Sequence, residues 1–184
     1  MKFYFTILVI LSLFVISCEN DLDKIEKVTF NPKSPDETIH ELKMVYSDSA
    51  YARVELICSY AETMHHPENI TKLLDSLRVN FFSENGEIVS TLTALYGEIN
   101  YSKGTLMVKD SVRLYNSKKK QKLETEVLYW NQKDSSIFTP AQVIVKGPDG
   151  TFLGEGIKTK QDFSRYEILK PRGKIKIEKK EEIN

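Results

Sequence analysis

The sequence is short of what most chemistry needs. It has three histidines and two cysteines in 184 residues. It contains no Gly-rich phosphate loop, no Gly-x-Ser-x-Gly elbow and no His-Glu-x-x-His pair. His65 and His66 adjoin, but Pro67 follows them and no cysteine or acid stands at a ligand spacing, so a solvated loop is expected there. Charge imbalance is missing too. The 26 basic residues meet 26 acidic ones without a long basic block, so the electrostatic footprint of a nucleic-acid binder is absent. Eight glycines and six prolines are scattered, which argues against long disorder. No enzyme and no cofactor is expected from this inventory.

Long apolar runs are missing except at the start. Lys2 is followed by FYFTILVILSLFVI, fourteen residues with only Thr6 and Ser12 polar. That is shorter than the ~20 residues a membrane-spanning helix needs, and it suits the apolar region of a secretory leader. It ends in Val15-Ile16-Ser17-Cys18, which resembles a bacterial lipobox. In a lipobox the cysteine is acylated and becomes the first residue. An uncleaved anchor is the alternative; the stop at Cys18 and the acids Glu19 and Asp21 favour the lipoprotein. The expected organisation is a leader over 1–17, a lipidated N-terminus and tether over 18–38, and one folded domain over 39–180. Cys18 would hold the chain to the membrane, since two or more acyl chains anchor stably and one does so marginally. Cys58 is then the remaining thiol and reads as a small core residue; no histidine beside it in sequence or helix start marks it as a nucleophile.

What is abundant is strand-forming sequence. Tyr and Phe number nine each. His40–Tyr46 and Tyr51–Tyr60 are apolar runs joined by Ser47-Asp48-Ser49. Residues 64–77 are the one stretch read as helical or irregular, with Leu73, Leu74 and Leu77 at helical spacing and Pro67 upstream. A repeat follows, whose leading residues Val79, Val112 and Val143 lie 33 and 31 residues apart. Each is followed by a turn, at 83–86, 116–119 and 147–150, and then a second strand. Ile99–Tyr101, Leu106–Val108 and Ile137–Thr139 read as short linking strands. The expectation is an all-antiparallel β protein in two layers, with a closed barrel as the alternative. Lys174, Ile175, Lys176 and Ile177 alternate charge with bulk, as a managed edge strand does.

The apolar face is the candidate site. Its members are Val79, Phe81, Leu92, Ile99, Leu106, Val112, Leu114, Leu123, Val127, Tyr129, Val143 and Val145. They read either as core or as two faces that splay to receive acyl chains, and sequence does not separate the two. The stretch 123–130 breaks its own alternation. Leu128 and Trp130 put bulk on the face that Glu124 and Glu126 mark as wet. Either a β-bulge flips the phase, bringing Leu128 and Trp130 inward in place of Val127 and Tyr129, or the strand end is covered on both sides. The basic tip Lys118–Lys120 with Lys122 reads as a solvated hairpin; attraction to an anionic membrane surface is the alternative.

Several segments together resemble the LptC family, in the lipoprotein form of Bacteroidetes-type bacteria: Tyr46-Ser-Asp-Ser, Leu123-Glu-Thr-Glu, Leu128-Tyr-Trp, Phe152-Leu-Gly-Glu-Gly and Asp162-Phe-Ser-Arg-Tyr-Glu-Ile. The resemblance covers roughly residues 40–178. It implies an open, V-shaped β-jellyroll of the OstA type with two facing sheets. It implies a non-enzymatic, periplasm-facing carrier, held most readily at the inner membrane. Such a carrier accepts lipopolysaccharide from an inner-membrane ABC transporter into an apolar groove. It then passes the lipid to an LptA-type bridge protein by strand pairing at the 174–177 edge. Within the stretch 123–130, the resemblance falls on Leu123, Thr125, Leu128 and Trp130 and favours the phase flip. A structural or adhesive envelope lipoprotein with a closed sandwich core is the other reading.

Overall fold

The structure is a computed structural model that describes residues 34–48 and 51–175. The expected leader, the Cys18 anchor, most of the tether, Lys176 and Ile177 lie outside the described residues. Ten antiparallel strands make up the described fold: β1 (Glu37–Asp48), β2 (Tyr51–Met64), β3 (Ile70–Phe82), β4 (Ile88–Ala94), β5 (Tyr96–Asn100), β6 (Thr105–Asn116), β7 (Gln121–Asn131), β8 (Ser136–Gly147), β9 (Gly150–Lys160) and β10 (Tyr166–Ile175). They form one sheet in the order β1-β2-β3-β4-β6-β7-β8-β9-β10, with β5 beside β4 in the gap between β3 and β6. The protein is all-β, with the antiparallel strands of a β-jellyroll. β1 opens at Glu37, inside the stretch expected to be tether.

Two expectations need correction. Residues 70–77 are strand, not helix. Leu73 and Leu77 are both inward because positions four apart share a face of a strand, and the two left-handed residues between them, Asp75 (φ 58°) and Ser76 (φ 71°), leave that side unchanged. A bulged strand thus imitates helical spacing. The supposed linking strands at 106–108 and 137–139 are likewise the first parts of β6 and β8. The second and third repeats are therefore pairs of long strands, interrupted in mid-course, whereas in the first the expected linking strand falls on a separate short strand, β5.

Those interruptions line up. Positive φ occurs at Glu41 (55°), Asp75, Ser76, Asp110 (66°), Ser111 (57°) and Gly156 (76°). Pairing registers step between Cys58 and Tyr60, Lys109 and Val112, Thr125 and Tyr129, and Thr139 and Gln142. Each step faces the next across the ladder, so together they draw one crease across the sheet. Bulges bend strands and increase local twist. Aspartate tolerates the left-handed region better than most residues, which suits it to this task. Gly156 suits its place, since a Cβ there would stand 3.0 Å from Leu169 Cδ1 in an already left-handed backbone.

The crease turns the sheet back on itself into two facing layers. Layer A holds 70–74, β5, 105–109, 127–131, 136–139 and 157–160. Layer B holds 42–47, 51–58, 77–82, β4, 112–116, 121–125 and 142–147. The core lies between them. Val79, Phe81, Leu114, Leu123 and Val145 of layer B meet Leu73, Ile137 and Ile157 of layer A, all with no exposed surface. Cys58 sits beside the crease, buried, with Sγ 2.9 Å from Tyr60 O and 3.2 Å from Leu74 O, so its S–H donates to a carbonyl freed by the bulge.

Candidate functional site

The space between the layers is not filled everywhere. An apolar cleft of about 170 Å³ remains where β1 and β2 of layer B face β5, β6 and β7 of layer A. Met44, Tyr46, Val54 and Leu56 form one wall; Ile99, Leu106 and Trp130 form the other. Alternation puts these residues on the inner face, and the crease brings the two walls together. Trp130 spans the gap. Its ring meets Phe81 at 6.3 Å and 67°, and Tyr46 at 6.5 Å and 75°, both edge-on. Such contacts are worth ~0.5–1.5 kcal/mol beyond area burial.

The rim is polar. Asn100 donates from Nδ2 to Glu68 Oε2 at 2.9 Å and accepts at Oδ1 from the Lys103 amide at 2.9 Å. The Tyr101 hydroxyl accepts from Thr71 Oγ1 at 3.3 Å. Gln132 is exposed at the opening.

The sequence candidates divide into three groups. Ile99, Leu106 and Trp130 line the cleft. Val79, Phe81, Leu92, Val112, Leu114, Leu123, Leu128, Val143 and Val145 are buried in the core. Val127 and Tyr129 do not belong on the list. The register step after Thr125 flips the phase of β7, so Leu128 and Trp130 point inward. Tyr129 instead stacks on exposed Phe138 at 5.3 Å and 19°. Sequence reasoning missed Met44, Tyr46, Val54 and Leu56; the alternation of β1 and β2 was the signal that could have found them.

The side of the mouth away from the cleft is fastened. The β9–β10 loop reaches from layer A to layer B. Ser90 Oγ donates to Gln161 O at 2.5 Å, Asn116 Nδ2 to Asp162 O at 2.6 Å, and Lys119 Nζ to Ser164 O at 2.6 Å. Phe163 in this loop has no exposed surface and packs on Tyr166 at 5.5 Å. The basic tip is thus partly engaged, with Lys118 on Glu87 at 2.8 Å.

The outer face of layer B is a field of ion pairs. Lys122 and Lys146 flank Glu124 at 2.6 and 2.7 Å and hold its carboxyl down at about 2. Lys43, and then Asn80, lower Glu55; Lys170, and then Arg172, lower Glu155. Such a face resists burial, which leaves the inner face as the apolar one. Among the described residues no cluster of His, Cys, Asp and Glu could hold a metal ion. His65 instead donates its backbone N–H to Asp36 Oδ2 at 2.7 Å.

β1 and β10 are the two ends of the strand order. Lys174 and Ile175 pair with Phe152 and Thr151 of β9, and among the described residues β10 pairs with no other strand. Pro171 and Gly173 break its register, which edge strands tolerate and central ones do not.

A family model described as LptC, "Lipopolysaccharide-assembly, LptC-related", matches residues 4–175. No curated protein matches the chain.

Proposed function

The chain belongs to the LptC-related lipopolysaccharide-assembly family and so has a role in lipopolysaccharide transport; on that premise we propose that it carries the lipid between its two layers. The family is a transport component of the cell envelope, associated with the periplasm and the inner membrane. In our reading the chain is tethered there through a lipidated Cys18. It accepts lipopolysaccharide from an inner-membrane ABC transporter and passes it to an LptA-type bridge protein along the β10 edge at Lys174–Ile177.

The observation that carries this reading is the cleft walled by Met44, Tyr46, Val54, Leu56, Ile99, Leu106 and Trp130. A closed sandwich has no use for an apolar opening at its mouth. Each buried methylene contributes ~0.8 kcal/mol, so acyl chains leave a membrane only for a surface of this kind. Size sets a further condition. An apolar cavity of ~150 Å³ takes one benzene-sized molecule. The cleft is about 170 Å³, room for part of one chain. A multi-chain lipid therefore requires the layers to part at the mouth, hinging along the crease. The ATP hydrolysed by the transporter supplies the work.

In-cell photo-crosslinking tests the proposal. A crosslinker at Leu106 is expected to capture lipopolysaccharide, and one at Tyr129 on the outer face is not. Equal capture at both positions, or none at Leu106, would defeat it.

A further inference from the structure

Two arginines on the outer face of layer B have no partner, although acids stand beside them. Arg78 of β3 and Arg113 of β6 pair with the same residue of β4, Thr93, one from each side. They therefore share a face two strands apart, about 10 Å at the backbone. The acids of this face are held by lysines instead. Glu124, opposite Arg113, bonds to Lys122 at 2.6 Å and Lys146 at 2.7 Å; Glu55, diagonal to Arg78, bonds to Lys43 at 2.9 Å. The other acids of the neighbourhood, Asp75 and Asp110 at the crease and Glu126 beyond Arg113, bond to neither arginine. Among the described residues neither guanidinium has an ion pair or a hydrogen bond. Two cations held side by side without a counter-ion repel one another.

Both arginines line one recess of about 430 Å³ beside the crease, and no carboxylate lines it. The hydroxyls of Ser59, Ser76, Thr93 and Ser111 line it too, and among the described residues none of them bonds to protein. Every free polar side chain of the recess is thus a cation or a hydroxyl. Guanidinium forks match the oxygens of carboxylates and phosphates. A carboxylate offers two oxygens, enough for one fork. A phosphate offers three or more, enough for two forks and a hydroxyl. We propose that Arg78 and Arg113 form a binding site for a phosphate group, carried by a lipid headgroup or free in solution. The site shares no residue with the apolar cleft, so it does not depend on the carrier reading.

The test uses the full chain in phosphatidylcholine vesicles and modifies arginine with phenylglyoxal, each position being followed by peptide mass spectrometry. Three probes are compared with chloride at the same ionic strength, which removes plain screening. They are inorganic phosphate, glycerol 3-phosphate, and phosphatidic acid mixed into the vesicles. Arg78 and Arg113 should be protected together, while Arg165 and Arg172 react as before. In Arg78→Gln the probe concentration that protects Arg113 should rise about 10-fold or more, the loss expected for a charge-assisted hydrogen bond. Arg113→Gln should do the same to Arg78. Both side chains are exposed, so neither change empties a core site. Protection by phosphatidic acid assigns the site to a headgroup; protection by the soluble probes alone assigns it to a free phosphate. The proposal is overturned if no probe protects, if Arg165 and Arg172 are protected equally, or if Arg113 keeps its full protection in Arg78→Gln.

Discussion

Trp130 of β7 meets Tyr46 of β1 edge-on across the mouth, with ring centroids 6.5 Å apart. The two strands are far apart in the order of the sheet, and only the crease makes them neighbours. That contact marks where the facing layers touch and where, in the proposed carrier, they come apart.

The phase flip in β7 predicts unequal costs for adjacent residues. Leu128→Ala should destabilise by ~2–5 kcal/mol, because it empties a fully enclosed site. Val127→Ala should cost ~1 kcal/mol or less, because the side chain is only half-buried on the outer face. Urea denaturation of the two variants decides this. A reversed order would return Val127 to the core.

The β9–β10 loop should behave as a fastening. Phe163→Ala is expected to cost ~3–5 kcal/mol, since the ring is fully buried. Asn116→Ala should cost ~1 kcal/mol and raise amide exchange across 161–165 before the rest of the sheet. Hydrogen exchange by mass spectrometry reads both. Unchanged protection in Asn116→Ala would mean that the loop is held from its own layer alone.

Glu124 gives a pH dependence with a defined sign. Its folded value of about 2 lies below its ordinary 4.5, with the Lys122 hydrogen bond as the largest cause and Lys146 next. The ionised carboxylate therefore stabilises the fold above pH 4.5, and that contribution is lost as pH falls through about 2. Glu124 is partly exposed, so screening reduces the gain to ~1–2 kcal/mol. Glu124→Gln should flatten the loss of stability over that acid window. An identical acid profile in the variant would remove the pair from the account.

At the edge, Ile175→Pro should abolish binding of an LptA-type bridge protein while leaving the thermal midpoint of the domain nearly unchanged. β10 already accommodates Pro171. Unfolding of the variant would place Ile175 inside a sheet rather than at its border.

Much of this was legible in the sequence, and the failures have a common cause. Three hairpins were marked by their turns: Asn85-Gly86, the lysine-rich tip and Asp149-Gly150. Inward residues such as Val79, Phe81 and Val145 followed from period-two alternation. What pattern reading handles poorly is a bulge that interrupts a strand without ending it. Asp75-Ser76 made β3 look helical, whereas the break in alternation at 128–130 already pointed to the step after Thr125 that takes Val127 and Tyr129 off the inner face. A signal existed. Asp-Ser falls in the middle of apolar alternation twice, at 75–76 and 110–111, where a left-handed pair costs least. The cleft itself was not legible. Whether Phe81 and Leu106 line an opening or fill a core depends on how far the crease closes, which no single-strand pattern encodes.

Parting of the layers at the mouth is the centre of the account, and tying the mouth shut tests it most directly. Cysteines replacing Tyr46 and Gln132, on opposite walls of the cleft, can be joined by a short bismaleimide. Buried Cys58 is shielded from the reagent. The measurement is lipopolysaccharide capture by the joined protein, against the same variant capped singly at each thiol. Capture should fall to background only when the two walls are joined. Undiminished capture by the joined protein would show that the lipid travels outside the two layers.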